Sequence, residues 1–268
     1  MSRIQSAIEG RCREGRRAFV PFLTAGYPDP ATCVRAAVAL AGAGAAVLEI
    51  GIPFSDPMAD GPIIQRASEA ALRAGTTPAI ALELIADICR QTTVPVVIMT
   101  YVNPIMQFRG PRGESFAEAA RAAGAAGMLV TDLPPDQPHE CWDQVQAAGL
   151  DPILLVTPTT GSGRLVTIGA RARGFVYCVG RLGVTGVGPA SHGRLAQQVA
   201  AARAAIPLPV LIGFGIGTAS EAREAAVLAD GVVVGSALLK CMEGAADPVG
   251  SARALATELI LALSMPAS

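Results

Sequence analysis

The segment Val47-Leu48-Glu49-Ile50-Gly51-Ile52-Pro53 sets one carboxylate inside an otherwise apolar run. The two-residue alternation of a strand puts Val47, Glu49 and Gly51 on one face and Leu48, Ile50 and Ile52 on the other. The branched face suits packing against helices, so the Glu49 face is expected to turn inward. A carboxylate there is costly unless it is paired or used, and desolvation raises its pKa toward the range useful for proton transfer. Two readings stay open from the residues alone: an acid–base group, or a Glu paired to a buried Arg. The loop that follows, Phe54 to Pro62, brings Asp56 and Asp60 over the same mouth, braced by Pro53, Pro57 and Pro62. Proline restricts its own φ and the residue before it, so such a loop presents its acids with little freedom. Two carboxylates in unlike environments are an acid–base arrangement, although loop Asp residues also serve as turn formers.

A second constellation is glycine. Gly213-Phe214-Gly215 and Gly235-Ser236 each close an apolar run, and Arg181 to Gly188 forms a third Gly-rich loop. Such loops let backbone N–H groups approach an anion, and a helix amino terminus adds a favourable dipole. Three of them together point to a phosphate, while each taken singly is also an ordinary tight turn.

The elements that must position these residues are legible as eight apolar runs, at 19–26, 47–53, 94–101, 127–134, 152–158, 175–181, 209–216 and 231–238. Between them lie Ala-rich stretches with helical spacing, several ending in Ala-Gly just before the next run. Runs apolar nearly throughout suit parallel strands covered on both faces. Eight β–α alternations at this length predict one domain over residues 1–268, an α/β fold of the (β/α)8 TIM-barrel type with an extra N-terminal helix. A doubly wound dinucleotide fold fits less well: Gly213-Phe214-Gly215-Ile216-Gly217 is GxGxG rather than GxGxxG, and the residue twenty positions beyond Gly213 is Val233, not an acid. In a barrel the site lies at the carboxyl ends of the strands, where the loops after strands seven and eight often hold a phosphate.

Composition narrows the chemistry further. The chain has 268 residues, 51% of them hydrophobic, and a formal net charge of -1, so no general field for nucleic acid or an anionic membrane arises. No apolar run approaches the roughly 18 residues that span a bilayer. The Arg-rich start, MSRIQSAIEGRCREGRR, lacks the apolar core of a secretory signal and is read as an amphipathic helix closing one end of the domain, in a cytoplasmic protein. Six scattered cysteines and two distant histidines make no metal-ligand cluster and fit free thiols in a reducing compartment. The single lysine, Lys240, is expected in a helix after the last strand, which gives a Schiff-base mechanism no support.

The segment LEIGIPFSDPMADGPIIQRA (48–67) resembles the signature of the tryptophan synthase alpha subunit family. The likeness extends in order through FVPFLTAGYPDP (19–30), YVNPIMQF (101–108), LVTDLPP (129–135), VTPTT (156–160), FVYCVGRLGVTG (175–186), GFGI (213–216) and VVGSAL (234–239). It implies cleavage of indole-3-glycerol phosphate to indole and glyceraldehyde 3-phosphate, without metal or cofactor, and delivery of indole to a beta subunit in a heterotetramer. By the same resemblance, Glu49 is the acid–base residue and Asp60 bonds the indole N–H. Tyr177 and Thr185 line the site, with Thr185 orienting Asp60 when the strand-six loop closes. Gly186, Gly215, Gly235 and Ser236 cradle the phosphate, and Asp56 lies at the beta contact. Phe22, Tyr101 and Thr131 would border the indole, or be ordinary barrel packing.

Two related barrel chemistries serve as controls. The synthase that makes indole-3-glycerol phosphate uses catalytic lysines, which this chain lacks at every strand end. The isomerase and cyclase barrels of histidine biosynthesis use Asp at the ends of strands one and five, where this chain has Thr24-Ala25-Gly26 and Thr157-Pro158. Three departures from the family pattern stand out. The loop QFRGPRGESF (107–116) is longer and carries two added arginines; Gly161-Ser162-Gly163-Arg164 replaces an acidic helix start; and Gly180 stands where Ser is usual. Two further readings therefore stand beside the main one: a stand-alone lyase releasing free indole, and a non-catalytic activator of a beta-type enzyme.

Overall fold

A computed structural model describes residues 1–137, 139–180, 190–213 and 215–264, the side chains of residues 190–192 excepted. In chain order the elements are α1 (Arg3–Arg13), β1 (Ala18–Thr24), α2 (Pro30–Ala43), β2 (Leu48–Gly51), α3 (Pro62–Arg73), α4 (Pro78–Gln91), β3 (Val96–Thr100), α5 (Val102–Gln107), α6 (Phe116–Ala122) and β4 (Gly127–Val130). They continue with α7 (Glu140–Ala147), β5 (Asp151–Val156), α8 (Ser162–Arg171), β6 (Val176–Val179), α9 (Ala190–Ala205), β7 (Val210–Gly213), α10 (Ala219–Leu228), β8 (Gly231–Val234), α11 (Ser236–Met242) and α12 (Pro248–Ala262). The strands pair in parallel, each with the next, and β8 returns to β1, giving a closed (β/α)8 barrel. Lys240 lies in α11, as its place after the last strand suggests.

Register decides what faces inward. Phe22 of β1 pairs with Glu49 of β2, and Glu49 with Val97 of β3. Farther round, Leu155 pairs with Tyr177 and Tyr177 with Leu211. Parallel neighbours in register share a face, so Phe22, Glu49 and Tyr177 all belong to the barrel interior. Two large rings in one interior need room, and glycine supplies it. A Cβ on Gly51 would fall 2.6 Å from the Phe22 ring, and one on Gly213 would fall 2.1 Å from the Tyr177 hydroxyl. Gly213 is therefore required by Tyr177, a reason separate from the anion reading of its sequence motif.

The opposite end is stoppered by α1. Ser2 caps it, its hydroxyl accepting from the Gln5 N–H, and Ile4 and Ile8 are wholly buried. A Cβ on Gly127, at the start of β4, would lie 2.8 Å from the Ile4 side chain, and one on Gly174, just before β6, 3.1 Å from it. Asp230 pins the same end: its carboxylate accepts from the Val210 N–H at 2.9 Å and pairs with Arg203.

Asp29, Thr77, Ser115, His139, Thr218 and Asp247 cap α2, α4, α6, α7, α10 and α12 with their own side chains. By contrast α3, α8 and α11 begin at Gly61, Gly161 and Gly235, and α5 at Tyr101, without a side-chain cap from that residue.

Gly213→Ala is expected to destabilise the fold by about 1–3 kcal/mol through overpacking against Tyr177. In a Tyr177→Ala background the same change should cost far less. Urea unfolding of the four proteins of that cycle measures the coupling, and equal costs in both backgrounds would refute the ring-clearance role of Gly213.

Candidate active site

Glu49 occupies an interior position of β2 and is 1% exposed. Its Oε1 is buried with no hydrogen-bond partner, and no Arg among the described residues pairs with it. The buried Glu–Arg pair left open by the sequence is thus not what the described residues form. Burial, with the nearby Asp60 charge adding to it, pushes the Glu49 carboxyl up to about 8.

Asp60 stands at the end of the β2–α3 loop, and Tyr101 at the end of β3 holds that loop. The Tyr101 hydroxyl accepts the Ala59 N–H at 3.1 Å, and the Phe54 and Tyr101 rings lie 5.2 Å apart. The Asp60 N–H reaches the Pro57 carbonyl at 3.0 Å, and Gln65 Nε2 donates to the Asp60 carbonyl at 2.8 Å. Burial raises the Asp60 carboxyl to about 6, a rise held back by its hydrogen bond with Tyr101. Burial thus pushes the Glu49 carboxyl above that of Asp60, so Glu49 keeps its proton to higher pH than Asp60 does, a separation of two acids that acid–base chemistry uses.

Tyr177 is buried, and its phenol is raised well above its ordinary value by desolvation and then by Glu49 and Asp60. Phe22 lies across the strand ends, where a Cβ on Gly235 would meet its ring at 3.0 Å. Thr131 donates its hydroxyl to the Thr100 carbonyl at 3.1 Å and neighbours the Tyr101 phenol. Two expected pocket residues, Tyr101 and Thr131, are thus engaged in holding the rim. Sequence reasoning gave no signal for this tether beyond an aromatic residue at a strand end. It also missed Asp132, which accepts the Val102 N–H at 2.8 Å and starts α5. Gln198 of α9, missed as well, donates Nε2 to the Val156 and Val179 carbonyls at 2.7 and 3.3 Å, across the ends of β5 and β6.

Of the glycine constellation, Gly215 is left-handed at φ 78°. Gly217 serves another purpose: its N–H donates to Glu221 at 2.8 Å, and Thr218 with Glu221 closes the start of α10 as a capping box. No such box seals Gly235 and Ser236. Thr185 and Gly186, with Phe214 and the rest of the Arg181–Gly188 loop, lie outside the described residues. Asp56 is exposed, its carboxylate accepting the Ser55 hydroxyl at 2.6 Å, and is not brought to the buried pair.

The departures from the family pattern have local explanations. A Cβ at Gly180 would fall 2.5 Å from Leu195, so Gly180 and Leu195 fit as a pair. Arg164, at the altered start of α8, pairs with Asp136 at 2.7 Å. In the 107–116 loop, Arg109 folds back onto the Met106 and Phe108 carbonyls at 2.7 and 2.6 Å. Arg112, its side chain 85% exposed, pairs with Glu114 at 3.8 Å.

A closed parallel barrel with a buried acid and a tethered anion at its carboxyl mouth defines an acid–base barrel enzyme. The family model described as tryptophan synthase alpha chain matches residues 9–262. A tryptophan synthase alpha chain of Burkholderia pseudomallei is 45% identical over 92% of this chain and 90% of its own length, and one of Burkholderia multivorans is 45% identical over 95% and 93%. The structure of tryptophan synthase subunit alpha from Legionella pneumophila superposes with a TM-score of 0.87, at 36% identity, covering 98% of each chain. A chain of ligand-free tryptophan synthase from M. tuberculosis gives 0.87 at 33% identity, covering 99% of this chain and 100% of that one. The chain belongs to the tryptophan synthase alpha chain family, whose reaction in tryptophan biosynthesis is the carbon–carbon lyase cleavage of indole-3-glycerol phosphate.

The electrostatics carry a sign that stability can test. The folded Glu49 carboxyl keeps its proton up to about 8, whereas the ordinary value is 4.5. Between those values the folded state binds more protons than the unfolded one, so stability falls as pH rises through that window and levels above it. Glu49→Gln should therefore gain on the parent by a few kcal/mol at about pH 9 and by much less at about pH 5. Denaturant midpoints at the two pH values check this; an unchanged difference would show that Glu49 titrates normally.

Proposed function

We propose that Glu49 and Asp60 divide the lyase reaction between them. The observation that carries this reading is the buried Glu49 carboxyl, one oxygen unpartnered, its pKa pushed above that of the nearby Asp60. Glu49 gives its proton to indole C3, leaving positive charge at the ring nitrogen, which the Asp60 carboxylate bonds and stabilises. The Glu49 carboxylate then takes the proton of the side-chain hydroxyl. As that O–H electron pair forms the aldehyde, the carbon–carbon bond breaks and its electrons neutralise the ring nitrogen. Glu49 ends protonated, as it began. Tyr101 and Thr131 fix the Asp60 loop, Phe22 and Tyr177 wall the indole site, and Thr185 completes the Asp60 contact. Gly186, Gly215, Gly235 and Ser236 take the phosphate, a role supported by the unsealed start of α11 and the left-handed Gly215.

A tryptophan synthase beta subunit is the partner this reading expects, docking where Asp56 and the 94% exposed Met58 project from the Asp60 loop. Family membership supports the partner, and so does the solved M. tuberculosis tryptophan synthase among the structural relatives. Among the described residues no helix is long and apolar enough to cross a membrane, which fits work in the cytoplasm.

Indole release from indole-3-glycerol phosphate, by the chain alone and with a beta subunit from the same source, is the deciding assay. Slow release alone with strong activation is expected; fast release without activation would make the chain an independent lyase. Glu49→Gln should retain substrate binding and lower kcat by about 10²–10⁴-fold, the usual contribution of a general acid–base group. A folded Glu49→Gln enzyme with near-normal turnover would remove Glu49 from the mechanism.

A further inference from the structure

Away from the mouth, the outer helices form a ring in which neighbours pack on one another: α2 on α4, α4 on α6, α6 on α7, then α8 on α9, α9 on α10, α10 on α12 and α12 on α2. Among the described residues α7 and α8 are the adjacent pair that does not pack closely. Arg164 of α8 pairs with Asp136, in the loop that precedes α7. A cavity of about 180 Å³ opens in this breach, floored by Leu150, Pro152 and Leu154 and walled by the Trp142 ring. A fully apolar cavity of about 150 Å³ already admits benzene, so the space suits a small organic molecule.

The polar groups around it have an unusual distribution. Arg171 and Arg173 lie on one side, at the end of α8, and Asp143 on the other, on α7. Arg173 is fixed by donating to the Ala170 and Ala172 carbonyls at 3.1 and 2.7 Å. Among the described residues neither Arg171 nor Asp143 forms an ion pair; both are exposed at the cavity rim, with Asp136 acting on Arg171 and Asp151 on Arg173 from outside it. Trp142 is 6% exposed and its indole N–H is buried without an acceptor, although buried Trp N–H groups usually have one. A purely apolar ligand would use none of these charges, and a simple anion would face Asp143. A zwitterion with an apolar tail matches the charged rim and the floor: carboxylate to the guanidinium pair, ammonium to Asp143, tail to Leu150, Pro152 and Leu154.

We propose that the groove between α7 and α8 is a binding site for an α-amino acid with an apolar side chain, separate from the lyase site. The site carries its own reporter, because Trp142 is the single tryptophan of the chain. The test titrates the full chain with L-leucine and follows Trp142 emission, with isopentylamine lacking the carboxylate and isocaproate lacking the ammonium. A saturable change with leucine is expected, about tenfold weaker for either analogue and for the Arg171→Ala and Asp143→Asn proteins, and unaltered by saturating glycerol 3-phosphate, a competitor for the lyase site. Both groove substitutions are at exposed side chains, so circular dichroism should show an intact fold. No saturable change, equal responses to all three compounds, persistence in both groove variants, or competition by glycerol 3-phosphate would each overturn the proposal.

Discussion

The constraint on which the structure turns is a carboxyl group held in the barrel interior with one oxygen unpartnered. Leaving a buried polar group unsatisfied costs on the order of 1–3 kcal/mol, and a charged one costs more. The fold bears this because everything around Glu49 is rigid. The strand is hydrogen-bonded on both sides, and the Phe22 and Tyr177 rings fit the interior only where Gly51 and Gly213 stand back. A looser wall would let water in, return the carboxyl toward its ordinary pKa, and remove its fitness as a proton donor at neutral pH.

Asp60 is tuned by different means. It sits on a loop rather than a strand, and its environment is set by how firmly that loop is held. Tyr101 does this with a backbone hydrogen bond to Ala59, a ring contact to Phe54 and a hydrogen bond to Asp60 itself. The last of these keeps the carboxylate anionic while burial pushes the other way. One acid is thus governed by enclosure and the other by tethering, and the gap between their pKa values follows from that difference.

The barrel, its strands and the interior place of Glu49 were legible in the sequence because each is a local pattern: alternation, run length, an acid among branched residues. The capping role of the N-terminal helix was legible for the same reason. Partnerships between distant residues were not. Nothing in the neighbourhood of Gly213 announces Tyr177, nothing near Gly180 announces Leu195, and nothing near Ala59 announces Tyr101. The Gly213–Gly217 run illustrates the difference, since one repeat of glycines serves three needs: clearance for a ring, a left-handed turn, and a cap with Glu221. Composition could suggest an anion for all of them, but only register and helix starts separate them.

The stopper at the closed end of the barrel has a consequence for how the chain folds. Ile4 precedes the glycines that make its seat, Gly127 and Gly174, by more than a hundred residues of chain. Loop closure over such a span is costly in entropy, and contacts of high sequence separation form slowly. The α1 helix can pack on β1 as soon as that strand follows it, but its full socket exists only once the middle strands have assembled. Docking of α1 into that socket completes the base of the barrel.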